Sequence, residues 1–335
     1  MKKFNTAIIG ATGAVGLELI KIIEERRFPV SELHLFASQR SQGRLLEFGG
    51  TEHVVRALDA SALKGMEVVF ISAGSAVSKD YAPALAEQGA LVVDNSSAFR
   101  GDRSIPLVIP EINAHEVDGR RGIVANPNCS TIQLVLAVEP VCRVWGLTQL
   151  VVATYQSVSG TGGRAMQELR EQSLAYLEGR SLEPKVYPSE IGFNLFPHIG
   201  EFGEDGLHIE ERKIVSETRR FLQDEHLPVT VTAVRVPVFR SHSEAIVLTT
   251  KERTSAREVA EVLRSTPGVF LLEGQDAGSY ATPMSAEGRD EVFVGRLRDT
   301  HPQGYGISMW VVADNLRKGA ALNAVQIAEH AVGVA

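Results

Sequence analysis

From Phe4 to Ala125 the chain alternates short β-rich runs with helix-patterned ones, and that alternation leaves few folds open. Phe4 to Ile9 reads as a strand, Val15 to Glu25 as a helix and Glu32 to Ala37 as the next strand. Glu67 to Ser72 is a third strand, followed by a helix over Lys79 to Gln88. Ala90 to Asp94 is a fourth, and Gly122 to Ala125 leads into Asn126-Pro127-Asn128-Cys129-Ser130-Thr131. Strands alternating with helices at this pitch predict a parallel sheet covered by helices on both faces. After about residue 145 the character changes. Leu150 to Gln156, Val229 to Pro237, Glu244 to Thr250, Asp290 to Arg298 and Gly306 to Asp314 look like strands, while Gly163 to Glu178 and Glu210 to His226 look like separate helices. That grouping predicts an α+β second domain. A closing helix over Ala320 to Val332 is expected to pack back on the first domain and make it discontinuous. At 335 residues, two domains are the natural expectation.

The net charge of −7 comes without a basic block, which argues against a nucleic-acid surface or an anionic membrane. No stretch approaches the ~20 uninterrupted apolar residues of a transmembrane helix. Met1-Lys2-Lys3 before an apolar run imitates a secretory signal, but Gly10, Gly13 and Gly16 break that run, so none is expected. Two cysteines, Cys129 and Cys142, make no disulfide framework, and the reducing cytoplasm is the expected compartment.

Ile8-Ile9-Gly10-Ala11-Thr12-Gly13-Ala14-Val15-Gly16 is a strand, a glycine turn and a helix start. Glycines let the backbone turn sharply and approach a pyrophosphate, which the helix N-terminus then holds. The spacing differs from the commoner G-x-G-x-x-G, and tight packing alone would also use glycines; the βαβ setting favours a dinucleotide. NAD-binding folds place an acidic residue about 20 residues on, at the end of the second strand. Here Ser38-Gln39-Arg40-Ser41 carries no carboxylate, and its Arg and two hydroxyls suit a 2′-phosphate, so NADP is the expected cofactor. Arg40 would otherwise be a solvated loop residue. Ser72-Ala73-Gly74-Ser75 reads as a second lip of the same crevice.

Cys129 stands where a helix begins, ahead of the apolar spacing Ile132, Leu134, Val135, Val138 and Val141. A thiol held in the first turn, near outward N–H groups and the positive end of the dipole, ionises more easily, and the thiolate is the reactive form. A lone cysteine is otherwise small core filling. It also follows the last strand of the first domain, the edge where open α/β sheets bind ligands. A nucleophile needs a proton-transfer partner, and His242, in Arg235-Val236-Pro237-Val238-Phe239-Arg240-Ser241-His242-Ser243-Glu244, lies between two strand patterns. A satisfied structural histidine is the competing reading. Tyr155 to Gly163 ends a strand in a polar, glycine-dense turn in which Gln156 could orient a nucleophile or a carbonyl. Arg100, Lys213 and Arg235 supply anion-binding groups, each of which alone would read as a solvated charge.

These segments together resemble the aspartate-semialdehyde dehydrogenase family over nearly the whole chain. The likeness is carried by the glycine turn at 10–16, Ser38 to Ser41, Asp94-Asn95-Ser96-Ser97 through Arg100, Pro110 to Asn113 and Asn126 to Thr131. It continues in Tyr155 to Gly160, Glu210 to Lys213, Arg235 to Ser243 and Ala313 to Ala321. The short form of the enzyme is the nearer likeness. The resemblance implies an α/β fold: a Rossmann-like doubly wound parallel sheet over 1–128 plus 316–335, and an α+β catalytic, substrate-binding and dimerisation domain over 129–315.

It further implies NADPH-dependent reductive dephosphorylation of L-aspartyl 4-phosphate to L-aspartate 4-semialdehyde, within lysine, threonine, methionine and diaminopimelate biosynthesis. In the family the residue matching Cys129 forms a thioester, the one matching His242 is a general acid/base, and the one matching Gln156 positions the reacting groups. Arg235 matches the substrate carboxylate clamp, a task for a bidentate guanidinium, and Glu210 the ammonium clamp. Arg100, Asn128 and Lys213 match the phosphate site, and Ser159, Gly160 and Asn315 match contacts at the nicotinamide. Gly10, Thr12, Gly13, Ala14, Val15, Gly16, Ser38, Arg40 and Ser41 match the rest of the NADP site. A homodimer acting on a small molecule is implied, with no metal, nucleic acid or membrane partner.

The chain departs from the family pattern at Gly206-Leu207-His208-Ile209, before Glu210, and at Phe239-Arg240-Ser241, before His242. The nearest rival, N-acetyl-γ-glutamyl-phosphate reductase, usually sets its cysteine after Pro-Gly rather than Pro-Asn. Glyceraldehyde-phosphate dehydrogenase differs at the cysteine segment and prefers NAD. A catalytically silent NADP-binding paralogue would not need Cys129, Gln156, Arg235 and His242 together.

Overall fold

The computed structural model describes every residue except Met1, Gln275 and Ala277. The chain divides into two compact units, Met1–Asn128 with Ala320–Ala335, and Cys129–Gly319.

The first unit runs β1 (Phe4–Ile9), α1 (Ala14–Glu25), β2 (Val30–Ala37), a small hairpin of β3 (Leu45–Phe48) and β4 (Thr51–Val54), then β5 (Arg56–Ala57) and β6 (Val68–Ile71). It continues through α2 (Ser75–Glu87), β7 (Leu91–Asp94), α3 (Pro110–Asn113) and β8 (Gly122–Ala125). Its main sheet has the order β5-β2-β1-β6-β7-β8, with every pair parallel. The Val-Val-Phe-Ile of β6 and Leu-Val-Val-Asp of β7 are buried throughout, as strands covered on both faces must be. Because β2 lies on one side of β1 and β6 on the other, the winding reverses at β1, and its carboxyl end is the place where such sheets bind ligands. Helix α2 begins at Ser75 rather than Lys79, since Gly74 at φ 89° turns the chain a full helical turn earlier.

The second unit contains α4 (Cys129–Trp145), β9 (Leu147–Gln156), α5 (Gly163–Leu177), α6 (Ile209–Phe221), β10 (Val229–Arg235) and β11 (His242–Thr250). After these come α7 (Ala256–Arg264), β12 (Val269–Leu271), α8 (Pro283–Ala286), β13 (Val292–Asp299) and β14 (Gly306–Ala313). The sheet order is β10-β9-β11-β14-β13-β12, mixed in direction. Helix α4 packs on β9, β11, β13 and β14 and against α6 and α7. The opposite face leaves Val151, Tyr155 and Val247 partly exposed. Helix α6 stops at Phe221, five residues short of the expected His226, because Gln223 takes the left-handed conformation at φ 54°. Helix α7 was not anticipated, although Ser255 and Glu258 form its capping box.

A π-helical turn at Arg317–Ala321 precedes the closing helix α9 (Leu322–Val332). Leu322, Val325, Ile327 and Ala328 of α9 share one core cluster with Ile8, Leu19, Ile22, Ile23 and Phe70 of the first unit.

Candidate active site

In the first unit the glycine turn is built for close backbone approach. Gly10 sits at φ +94°, and a Cβ on Gly16 would come within 2.2 Å of the Gly10 carbonyl oxygen. No larger residue fits there without moving the turn. Thr12 Oγ1 donates to Ser41 Oγ at 3.2 Å, joining the turn to the segment after β2. In that segment Ser38 and Arg40 are exposed, and no carboxylate stands between Ser38 and Ser41. The backbone of Gly10 to Gly16 and the start of α1 fit the pyrophosphate of a dinucleotide.

Arg100 is anchored from behind: Nε donates to the Asn126 carbonyl and Nη2 to the Asn95 carbonyl, both at 2.8 Å. Asn126 Nδ2 donates to Asn95 Oδ1 at 3.0 Å, and Asn126 Oδ1 accepts from Asn323 Nδ2 at 2.7 Å. Asn128 is nearly fully buried.

In the second unit one row of side chains crosses neighbouring strands at the end of the sheet. Arg235 of β10 lies opposite Gln156 of β9, and His242 of β11 lies opposite Ala313 of β14. The β9–β11 ladder pairs Ser243 with Tyr155, so His242 and Gln156 occupy its next rung. Pairing register therefore gathers three polar side chains from distant parts of the chain. Arg235 and His242 are at least 95% buried, at 5% and 0% exposure, yet Arg235 Nε and His242 Nε2 have no hydrogen-bond partner among the described residues. Buried donors left in this state mark a place for a ligand. Arg235 Nη1 is held by the Ser157 carbonyl.

His242 Nδ1 accepts the Ser157 backbone N–H at 3.0 Å, with the Ser157 hydroxyl 3.1 Å away. Burial, then the Arg235 charge, push the His242 pKa down to about 3, against the opposing pull of Glu210. Asn315 Oδ1 gathers donors from Ser157 Oγ at 3.2 Å, Ser159 Oγ at 3.1 Å and Ser241 N at 2.9 Å. Ser241 has φ 72°, an uncommon conformation for a residue with a side chain, immediately before His242. A Cβ on Gly160 would lie 3.3 Å from Arg235 Nη1 and 3.4 Å from His242 Nε2, so the hydrogen at this position keeps open the space that both groups face.

Glu210 lies in the first turn of α6. Its Oε1 accepts from Gln156 Nε2 at 3.0 Å, and its Oε2 is 3.3 Å from Lys213 Nζ. The unusual lead-in supplies the helix start: His208 is the cap residue, its N–H donates to Glu211 Oε2 at 3.2 Å, and its Nε2 lies 3.0 Å from Glu211 Oε1. The other unusual stretch has a use as well, since Arg240 pairs with buried Asp314, next to Asn315.

Cys129 is the first residue of α4. A Cβ on Gly319 would stand 3.1 Å from Cys129 Cβ and 3.5 Å from Asn315 Cβ, so Cys129 and Asn315 flank one glycine. Two rungs from the polar row, Glu244 is fully buried opposite Thr154, and burial pushes its carboxyl well above the usual range, with the Gln133 amide offsetting part of this.

The second unit thus gathers Gln156, Ser159, Gly160, Glu210, Lys213, Arg235, His242 and Asn315 through direct contacts. Gly10 to Gly16, Ser38 to Ser41, Arg100 and Asn128 belong to the first. Ser157, Ser241, Asp314 and Asn126 were not singled out from sequence. All four flank a residue that was, or sit in a quoted motif, but their contribution is made by backbone geometry or by partners far along the chain.

Family profiles agree with this division. The profile described as semialdehyde dehydrogenase, NAD binding domain, matches residues 5–120, and that described as semialdehyde dehydrogenase, dimerisation domain, matches 138–318. An aspartate-semialdehyde dehydrogenase of Aquifex aeolicus is 49% identical over 331 residues, covering 97% of each chain. One from Bacillus subtilis is 40% identical over 97% of this chain and 96% of its own. Among solved structures, aspartate semialdehyde dehydrogenase II from Vibrio cholerae superposes with a TM-score of 0.95 at 43% identity over 99% of both chains. Its complex with ASA gives a TM-score of 0.94 at 42% identity, again over 99% of both.

Proposed function

We propose that this chain, which belongs to the aspartate-semialdehyde dehydrogenase family, reduces L-aspartyl 4-phosphate to L-aspartate 4-semialdehyde with NADPH, in the biosynthesis of lysine, threonine and methionine. The observation that carries the reading is the row Arg235–Gln156–His242 with Glu210 and Lys213 attached to it. A buried guanidinium, a carboxylate and an ammonium within one network suit a substrate bearing both charges of an amino acid and a phosphate.

Cys129 is the nucleophile of this reaction. Its thiolate, at the first residue of α4, forms a C–S bond to the acyl carbon as the C–O bond to phosphate breaks, leaving a thioester. NADPH, when bound, supplies the hydride that converts the thioester to the aldehyde as the thiolate departs. Arg235 holds the substrate carboxylate and Glu210 its ammonium, while Arg100, Asn128 and Lys213 serve the phosphate. Gln156 positions the reacting groups, and His242 acts at the carbonyl oxygen. Gly10 to Gly16 with Ser38, Arg40 and Ser41 hold the adenosine and pyrophosphate end of NADP, and Ser159, Gly160 and Asn315 border its nicotinamide.

Two copies meet through the open face of the second-unit sheet, where Val151, Tyr155 and Val247 are exposed within the stretch that matches the dimerisation profile. Two free thiols fit a reducing cytoplasm, and among the described residues no helix is long and apolar enough to cross a membrane.

The test follows formation of reduced nicotinamide from aspartate semialdehyde, phosphate and NADP, with N-acetylglutamate semialdehyde run in parallel. Phosphate-dependent turnover of the first alone is the expected result. Turnover of the second instead, or of neither with NADP still bound, overturns it.

A further inference from the structure

We propose that Glu211 is the spacer that sets the gap between the substrate's two clamps, Glu210 on α6 and Arg235 on β10, and that this gap restricts the enzyme to substrates carrying an ammonium and a carboxylate on one carbon.

The Glu211 carboxylate is buried and taken up by the frame. Its Oε2 accepts the His208 N–H at 3.2 Å and its Oε1 accepts the Ala233 N–H at 3.1 Å, with His208 Nε2 3.0 Å from Oε1. The first contact closes the start of α6. The second crosses to β10, where Ala233 lies two residues from Arg235 and, by the alternation of a strand, on the same face. Two consecutive carboxylates of α6 thus divide the work. Glu211 grips β10, while Glu210 reaches Gln156, which stands opposite Arg235 in the β9–β10 ladder. Behind Glu211 the buried His208 ring takes the place of the ordinary hydroxyl cap, with Phe202 edge-on at 5.8 Å and His198 at 6.3 Å.

The rest of the connection between the clamps is irregular. Arg235 exchanges both backbone hydrogen bonds with Phe196, at 2.8 and 3.0 Å, and from Phe196 the chain loops until Ile209 starts α6. Such a loop does not by itself hold two side chains to a fixed separation, and Glu211 bridges its base. The tolerance is small, because the ammonium and carboxylate of an amino acid share one carbon. A misplacement of about 1 Å costs on the order of 10²-fold. A site built to meet an ammonium also rejects an analogue that lacks it, since its buried carboxylate loses the charge it is placed for. The inference rests on the proposed roles of Arg235 and Glu210, which makes Glu211 a positioning residue for both.

The test compares aspartate semialdehyde with succinate semialdehyde, the same aldehyde without its ammonium, using the full-length enzyme with phosphate and NADP. Wild type is expected to favour aspartate semialdehyde by at least about 10²-fold in kcat/KM. In Glu211→Ala that preference should fall about 10-fold, through a higher KM for aspartate semialdehyde. Its kcat for that substrate should stay within about threefold of wild type, and KM for succinate semialdehyde should hardly change. Glu211→Gln, with a single acceptor oxygen for two backbone N–H groups, should fall between the two. An unmoved preference in either variant, or an equal loss on both aldehydes, overturns the spacer. If Glu211→Ala does not fold, Glu211→Gln decides alone. A wild-type enzyme that turns over both aldehydes equally well removes instead the clamp roles of Arg235 and Glu210, and the inference with them.

Discussion

Arg240 Nε lies 2.9 and 2.7 Å from the two carboxylate oxygens of Asp314, so one nitrogen serves both. Asp314 is fully buried and also receives the Gly288 and Leu316 backbone N–H groups, at 2.7 and 3.0 Å. The pair thereby fixes the residue next to it, Asn315, whose oxygen organises Ser157, Ser159 and Ser241. Arg240→Leu removes the only cation of this pair and should cost about 3–5 kcal/mol, the usual penalty for stranding a buried charge. Denaturant unfolding of wild type and variant measures it, and a loss below about 1 kcal/mol would show that Asp314 finds compensation elsewhere.

Cys129→Ala should lower turnover by about 10⁴-fold or more while leaving NADP affinity within about twofold. Calorimetric titration with NADP and a progress-curve assay give the two numbers. Comparable turnover in the variant would disprove the nucleophile assignment.

The methyl of Gly160→Ala enters the space between Arg235 Nη1 and His242 Nε2. A drop in kcat of about 10²-fold is expected, of the size that displacing a reacting group by 1 Å produces, with little change in unfolding midpoint. A variant with full kcat would mean that neither group faces the reacting atoms.

Arg40→Glu places a carboxylate where a ribose hydroxyl could use it and a 2′-phosphate could not. The ratio of kcat/KM for NADP over NAD should fall at least 10–100-fold, the worth of one charge-assisted contact. If the ratio is unmoved, the 2′-phosphate lies elsewhere.

Glu244 titrates well above an ordinary carboxyl because of its burial. Its neutral form is the one the folded protein favours, so its contribution to stability is complete below the unfolded-chain value near pH 4.3 and declines as pH rises toward the folded-state value. Glu244→Gln, which cannot ionise, escapes that decline. Its melting temperature relative to wild type should therefore rise steadily between about pH 5 and pH 8. A constant difference would indicate that Glu244 is ionised throughout.

The architecture was largely readable in advance because parallel strands buried on both faces leave runs such as Val68 to Ile71, and glycine turns leave spaced glycines. Helix ends were less so: Gln223 carries no compositional sign of the left-handed turn that ends α6. The ends of β9, β10 and β11 could be seen as strand termini bearing Gln156, Arg235 and His242. Their alignment depends on register between strands far apart in sequence, which no local pattern records. The Ser157–His242 contact was hidden for another reason, since a backbone N–H is the same in every residue but proline. Asn126 and Asn323 meet across 197 positions, beyond the reach of any periodicity.

The closing helix has a consequence for synthesis on the ribosome. The segment Cys129–Gly319 is continuous and can complete its core as soon as it emerges, whereas the nucleotide-binding unit, made before it, lacks Leu322, Val325, Ile327 and Ala328 until α9 has been made. Until then the face formed by Ile8, Leu19, Ile23 and Phe70 is incompletely covered, and the older part of the nascent chain becomes native last. A premature stop ahead of α9 would therefore damage the oldest part of the polypeptide and yield a chain whose exposed apolar groove recruits chaperones or other copies of itself.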